Sequence, residues 1–346
     1  MKDIVISPLS QALRIENAPA AQGELVGRAQ PSDVATHDQA QAPPTPVDEP
    51  AAIIAASRQQ AAACQDGLGV LLAETAHLIT DPRTPEPLRQ AAVKLVALQT
   101  VIDPPPTAEV IKGALSQSGL FTEARLASAL PVPPDLKTAI LALRDIAQVL
   151  ANGDMPPVER AGQNHPAKPP PPFRGADLHP QPAVPAVPAS ALPISPARLV
   201  RESDAALSRL ELLQLASAPV PGQSSERASQ PAVWLFEVPL ATPQGSAVAQ
   251  FEISRDGAGT AMEVARAWRV RFSIDVDPMG PVHAQIAMRG DRTSVTLWAE
   301  RDESVQQLTA SRGSLAAALS GAEVAVYPGA PHRPPPSAGR LVDQSS

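Results

Sequence analysis

"RFSIDVDPMGPVHAQIAMRGDRTSVTLWAERD", Arg271–Asp302, contains three segments in which apolar and polar residues alternate, separated by two turns. Strict alternation of apolar and polar residues predicts β-strands with one buried face. The pattern begins earlier, at Ala267, and "DPMGP" and "RGDRT" supply the turn residues between the segments. In the first segment the predicted polar face carries Arg269, Arg271, Ser273 and Asp275. The stretch therefore predicts three consecutive antiparallel strands.

The flanking sequence extends this pattern into a small domain. Upstream, "VWLFEVPL" and "SAVAQFEIS" predict a hairpin that turns near Pro243. Downstream, the period becomes helical and ends at Gly321, followed by a last strand, "EVAVY". We predict an α+β fold, a small β-rich C-terminal domain with one main helix, over residues 231–328. Its predicted structural core is Trp234, Phe236, Trp268, Val270, Phe272, Ile274, Ile286, Leu297, Leu315 and Leu319.

The rest of the chain has the composition of a sequence that buries little. The chain has 346 residues, 41 of them proline, and only 3% aromatic residues, and all three Trp and the one Tyr come after residue 230. Alanine dominates the apolar content, and it buries too little area to offset the entropy of ordering the chain. We predict a largely disordered Ala/Pro-rich leader with short helices, divided as follows. Residues 1–50 form a disordered leader, 51–150 short amphipathic helices, 151–230 a proline-rich spacer and 329–346 a disordered tail.

Two segments within 51–150 have helical periodicity. "PEPLRQAAVKLVALQTVID" spaces Leu88, Ala92 and Leu95 along one face, and "DLKTAILALRDIAQVL" follows a predicted N-cap, Asp135. Within the spacer, "ARLVRESDAALSRLELLQLA" is a further helical segment that needs a packing partner to be stable.

Charge and residue usage exclude several classes of protein. The net charge of −7 and the lack of a basic stripe argue against nucleic-acid binding. The single Cys64 allows no internal disulfide, and no Cys/His spacing fits a zinc site, so we expect no metal and no cofactor. No apolar run approaches about 18 residues, so we expect no stable membrane insertion. We expect a monomer.

Candidate catalytic residues are isolated in the sequence. His283 lies on the predicted polar face of its strand, and Ser311 and Ser314 have no His/Asp partnership in their sequence context. We therefore predict that the protein is not an enzyme. The remaining candidate site is a partner contact at the turn. It consists of Asp277, Pro278, Met279, Gly280 and Pro281.

The order of hairpin, alternating strand, Asp-Pro-x-Gly-Pro turn, two strands, leucine-spaced helix and final strand resembles the C-terminal domain of flagellar hook-length control proteins. Asp277, Pro278, Gly280 and Pro281 hold the turn, and the helix end has Leu315, Leu319 and Gly321. The chain departs from the family pattern at Val276 and Met279, where a Leu is common. The resemblance covers about 100 residues, and "SGLFTEARLA" with "DLKTAILALR" resembles an upstream segment of some members.

The resemblance implies a secreted ruler and a substrate-specificity switch of the flagellar type III export apparatus. The protein would be cytoplasmic and then exported, with its export signal in residues 1–50. Its partner would be the cytoplasmic domain of the export gate switch protein, with hook and hook-cap subunits as further candidates. Roughly 230 residues of extended leader would reach at most about 760 Å. Two other classes stay open: a β-rich binding module on a disordered tether, and a scaffold whose amphipathic segments pair with other proteins.

Overall fold

The computed structural model describes residues 49–103, 105–152, 168–188, 193–218, 232–255, 267–319 and 321–331. The predictions made for the leader up to residue 48 and for the tail beyond residue 331 lie outside these residues.

Seven of the eight described helices come before residue 220. They are α1 (Glu49–Cys64), α2 (Leu68–Thr80), α3 (Glu86–Val96), α4 (Ala108–Ser116), α5 (Thr122–Ala127), α6 (Leu136–Ala151), α7 (Pro196–Ser217) and α8 (Asp302–Ala318).

The described strands form one mixed sheet. They are β1 (Thr100–Val101), β2 (Gln181–Pro185), β3 (Ala232–Thr242), β4 (Gly245–Arg255), β5 (Ala267–Val276), β6 (Gly280–Arg289), β7 (Arg292–Ala299) and β8 (Glu323–Pro328). Their order across the sheet is β1-β3-β4-β5-β6-β7-β8, and β2 pairs with β4. The β1–β3 and β7–β8 pairs are parallel and the others are antiparallel. The predicted α+β fold class is confirmed.

Capping and helical spacing define the helix α6. The Asp135 side chain accepts a hydrogen bond from the Thr138 backbone N–H, and the Thr138 hydroxyl accepts one from the Asp135 backbone N–H, as in a capping box. The predicted N-cap is therefore confirmed. Behind it, Leu136, Ile140 and Leu143 are almost fully buried. They belong to a core formed with α2, α3 and α7, which also packs on β3 and β4 through Leu235 and Val248. We call this unit, residues 49–255, the helical body.

The remaining strands and α8 form a second unit with its own core. Ala284, Val295 and Leu297 are buried there, and Leu308 and Leu315 of α8 pack against them. We call residues 267–331 the C-terminal module. The two units share the sheet along the β4–β5 pair, where six residues of β4, Gln250–Arg255, pair with six of β5, Trp268–Ser273.

Within the predicted spacer, 151–230, the described residues 168–188 and 193–218 differ from the prediction, and residues 153–167, 189–192 and 219–230 lie outside the described part of the chain. Residues 168–188 run across the sheet and contribute β2, and α7 is a helix of 22 residues packed in the core of the helical body. The local sequence of 168–188 predicts an extended chain because of its prolines, and the chain is extended. What local reasoning could not supply is its long-range pairing with β4.

Two of the predicted core residues lie nearer the surface than predicted. Trp268 and Leu319 are each 38% exposed. Phe236 and Leu297 are buried, and the other six predicted core residues are partly buried. The predicted core residues differ in burial because different elements cover this face of the sheet. α8 packs over β6–β8, and residues 114–120 pack over β3 and β4. Trp268 lies near the end of β5, where it stacks on Trp234 with ring centroids 6.2 Å apart.

Candidate partner surface

The predicted contact turn joins β5 to β6. Asp277 and Pro278 are exposed, Met279 and Pro281 are partly buried, and Gly280 is buried. Gly280 and Pro281 already belong to β6. The five predicted contact residues are thus contiguous in space, but the accessible part of the turn is small. Its role as a partner contact stays a prediction.

The start of α8 holds this turn in place. Arg301 donates from Nη1 to the Pro278 carbonyl over 2.7 Å, and the Ser304 hydroxyl donates to the Met279 carbonyl over 2.6 Å. Burial raises the pKa of the neighbouring Asp275 carboxyl, while the charge of Arg301 opposes that shift. The turn is therefore fastened to the helix that covers the module's core.

Gly280 is required by this arrangement. Its φ is +68°, and a Cβ built on it would lie 2.8 Å from Arg301 Cδ. We expect Gly280→Ala to destabilise the protein by about 1–3 kcal/mol, because it adds left-handed backbone strain and displaces Arg301 from the turn. Urea unfolding of the full chain measures this. The matched control is Gly313→Ala in α8, where an added Cβ meets nothing within 4 Å. That change should stabilise by about 0.5–1 kcal/mol, and equal effects of the two substitutions would contradict the assignment.

A larger candidate surface lies on the face of the sheet opposite α8. Cross-strand register places side chains there in rows that run across β5, β6, β7 and β8. These rows are Arg269–Ala287–Ser294–Glu323, Arg271–Gln285–Thr296–Ala325 and Ser273–His283–Trp298–Tyr327. We call this the open face.

A buried hydrogen-bond network holds one row of the open face. His283 Nδ1 lies 2.5 Å from the Ser273 hydroxyl, and His283 Nε2 lies 3.1 Å from Glu300 Oε1. The Ser273 hydroxyl also donates to the Leu178 carbonyl over 3.2 Å. Ser273 is 1% exposed and its oxygen is engaged on both sides. The geometry therefore suits a structural network better than a nucleophile, which needs an accessible hydroxyl.

A cavity of about 350 Å³ opens beside this network. Arg269, Arg271, Gln285 and Trp298 line it from the open face. Residues 177 and 178 form a wall on the β5 side, and Pro331 also lines it. The cavity combines cationic, acidic, amide and aromatic groups, since Asp177 and Glu252 also line it, and this suits a polar ligand more than an apolar one.

The segment 168–188, which we call the strap, is the part of the helical body that forms that wall and contacts the module. Arg271 donates from Nη2 to the Ala176 carbonyl over 3.1 Å, and it also forms a two-pronged ion pair with Glu252. On the other side, Gln65 donates to the Pro169 carbonyl over 2.8 Å. Through its backbone carbonyls, the strap is therefore bonded both to the module and to the rest of the helical body.

Sequence reasoning found the polar face of β5 but not the open face as a surface. Alternation alone places Arg269 and Arg271 on the side opposite Phe272. Their alignment with Gln285 and Trp298 depends on strand register, which the hairpin turns fix only in part. No local signal indicated that the strap would cross this face.

Two further classes of site were tested on the described residues. Among them, no group of His, Cys, Asp and Glu side chains could hold a metal ion. None of the helices in the described part of the chain is both long enough and apolar enough to cross a membrane.

Comparison with known proteins gives one family match, which falls on the module. Residues 256–327 match the sequence model of the family described as flagellar hook-length control protein FliK. The match starts directly after β4, so it takes in β5–β8 and α8 and leaves the β3–β4 hairpin outside. No curated protein and no solved structure matches the chain.

Proposed function

We propose that this chain, which carries the C-terminal domain of the flagellar hook-length control family at residues 256–327, acts as a secreted ruler and as a substrate-specificity switch of the flagellar type III export apparatus. The observation that carries the proposal is the coincidence of the matched range with a structural unit. β5–β8 and α8 have a core of their own and an open face. In this proposal the module is the switch, and the preceding chain is the exported part. The protein is then cytoplasmic before export and is not an enzyme.

The proposed partner of the module is the cytoplasmic domain of the export gate switch protein. Two surfaces are available to it, the exposed residues of the Asp277–Pro281 turn and the open face. The turn is fixed to α8 by Arg301, so it would meet a partner as a rigid element. Hook and hook-cap subunits are proposed as further contacts of the exported part.

The ruler part of the proposal requires the helical body to unfold during export. The body contains no disulfide, since the only cysteine, Cys64, is free. Its helices are held by packing and by a small number of buried polar contacts. The net free energy of unfolding of a folded protein is small, so a unit without disulfides can be unfolded by pulling. Extended, the chain would span about 3.3 Å per residue.

A second candidate function is favoured by the size of the helical body. The described residues between 49 and 255 build a packed unit that the family match does not cover. A chain that served only as a threaded ruler would not need such a core. The alternative is a non-enzymatic binding or scaffold protein, in which the helical body presents the module to a partner.

Insertions into residues 153–167 separate these two functions. If the chain is a ruler, each inserted residue of a proline-rich sequence should lengthen the hook by about 3 Å. Hook lengths measured by electron microscopy across an insertion series would give this slope. The insertions leave every described element intact, because they fall between α6 and the strap in the sequence.

The matched control places the same insertions after residue 331. They follow the module, so the ruler account expects hook length to stay constant. Hooks of unchanged length with normal filaments in both series would remove the ruler and favour the scaffold alternative. Equal lengthening in both series would also contradict the proposed division of the chain.

A further inference from the structure

The open face is accessible over most of its width. α8 packs on the opposite face of the module, and the strap reaches the open face at β5. Across β6–β8 the open-face residues beyond His283 are exposed or partly buried. Tyr327 at the far edge is 51% exposed. A sheet face of this kind can accept a further layer.

The sizes of the side chains on this face outline a shallow groove. Its floor is made of small side chains at the centre of the rows. These are Ala287, Ser294, Thr296 and Ala325. At one end stand the tilted rings of Trp298 and Tyr327, with centroids 6.4 Å apart. At the other end stand the arginines of β5, β6 and β7, so the two ends differ in chemistry.

The arginine end carries three exposed cations that form no ion pair among the described residues. Arg269, Arg289 and Arg292 are exposed, and none of them has an ion-pair partner among the described residues. Glu323 pairs in register with Ser294, two residues from Arg292 on β7, so it offsets part of the charge of Arg292. It also lies in the row of Arg269, but three strand spacings away, about 14 Å. That distance exceeds the screening length of about 8 Å in physiological salt, so Glu323 neutralises Arg269 only weakly. An acidic ligand would complete this end of the groove.

The strap is one extended segment that the open face already contacts within this chain. It is an extended polypeptide, and the module holds it by its backbone: Arg271 donates to the Ala176 carbonyl and Ser273 to the Leu178 carbonyl. Leu178 is 6% exposed beside them. At the aromatic end, Pro331 lines the same cavity as Trp298. Aromatic side chains commonly accept proline rings in extended peptides.

We propose that the groove on the open face, from Arg269, Arg289 and Arg292 to Trp298 and Tyr327, binds an extended acidic, proline-containing segment of a partner protein. The segment would lie beside the strap, with its carboxylates on the arginines and its prolines on the aromatic pair. This inference deepens the proposed function by naming the surface and ligand chemistry of the switch, and in that respect it rests on it. Binding to the groove itself can be measured independently.

The test uses the full chain and a fluorescent synthetic peptide of alternating glutamate and proline. Fluorescence anisotropy should show saturable binding that weakens as salt is added. The double variant Arg269→Glu/Arg289→Glu should bind at least about tenfold more weakly, because both contacts become repulsive. The control Arg312→Glu makes the same kind of charge reversal at an exposed position of α8 and should leave binding unchanged. A peptide of alternating lysine and proline should not bind.

Several results would overturn the proposal. One is equal binding of the acidic peptide by the wild-type chain and the double variant. Another is binding of a single-stranded oligonucleotide in the groove with none of the acidic peptide. A third is self-association through this face, seen as dimers that the double variant abolishes, with no binding of the peptide. If instead the peptide binds as proposed while the double variant gives hooks and filaments of normal length, the groove stands and its assignment to the export switch fails.

Discussion

Arg209→Ala is expected to lower the free energy of unfolding by about 3–5 kcal/mol, because it leaves a buried carboxylate without its cation. Arg209 and Glu237 are each 1% exposed. The guanidinium donates from Nε to Glu237 Oε1 over 2.7 Å, and Nη2 lies at the same distance from that oxygen. Nη1 donates to Gln65 Oε1 over 2.8 Å and to the Pro170 carbonyl over 3.2 Å.

These contacts are the reason that we expect one side chain to contribute so much to the free energy of unfolding. Arg209 in α7 joins the end of α1, the strap and β3, three segments that are far apart in the sequence. Its loss would unpair the Glu237 carboxylate and the buried Gln65 side-chain oxygen at once, and each unsatisfied buried acceptor costs about 1–3 kcal/mol. We expect the helical body to become the first part of the chain to unfold in such a variant.

Urea unfolding of the full chain, followed by circular dichroism, measures the prediction. The double variant Arg209→Met/Glu237→Leu removes both charges and should recover at least half of the loss, because no charge is left unpaired in the interior. Arg312→Ala is the surface control, with an expected effect within about 0.5 kcal/mol. A cost below about 1 kcal/mol for Arg209→Ala, or a double variant no more stable than the single one, would show that the pair does not hold the segments together.

The C-terminal module could be predicted well from the sequence because its signals are local. The alternation from Ala267 to Val276 became β5, and "DPMGP" and "RGDRT" became the turns that pair β5 with β6 and β6 with β7. A hairpin needs only neighbouring residues to specify its partner. The helix ending before Gly321 became α8 in the same way.

The strap could not be predicted because nothing near it in the sequence indicates its partner. Its strand β2 contains Pro182 and Pro185, and proline weakens a strand prediction since it lacks the amide donor. β2 nevertheless pairs where β5 leaves β4 unpaired, along Gly245–Val248. The pairing is irregular between Gln181 and Val184, as expected for a proline-containing strand.

The packing of the helical body also could not be predicted from local sequence. Alanine-rich composition indicated little buried area, yet α7 is buried along Leu199, Leu210 and Leu213 by packing against α1, α6 and β3. Short helices are marginal alone and become stable when several apolar faces meet. The sequence revealed the individual faces, as in α6, but not that they meet in one core.

Removing the module is expected to have the largest effect on function. If residues 256–327 carry the switch, a chain ending at Arg255 cannot change the substrate class of the export apparatus. Hooks should then grow without control and filaments should be absent. The described elements of the helical body are retained up to β4, although β4 loses its neighbour β5.

The most direct measurement compares two truncations expressed in a strain that lacks the native gene, with hooks imaged by electron microscopy. A chain ending at residue 331 keeps every described element, and it should restore hooks of uniform length that carry filaments. A chain ending at residue 255 should give overlong hooks without filaments. Hooks of normal length with filaments on the shorter chain would contradict the account, because the switch would then lie outside the module.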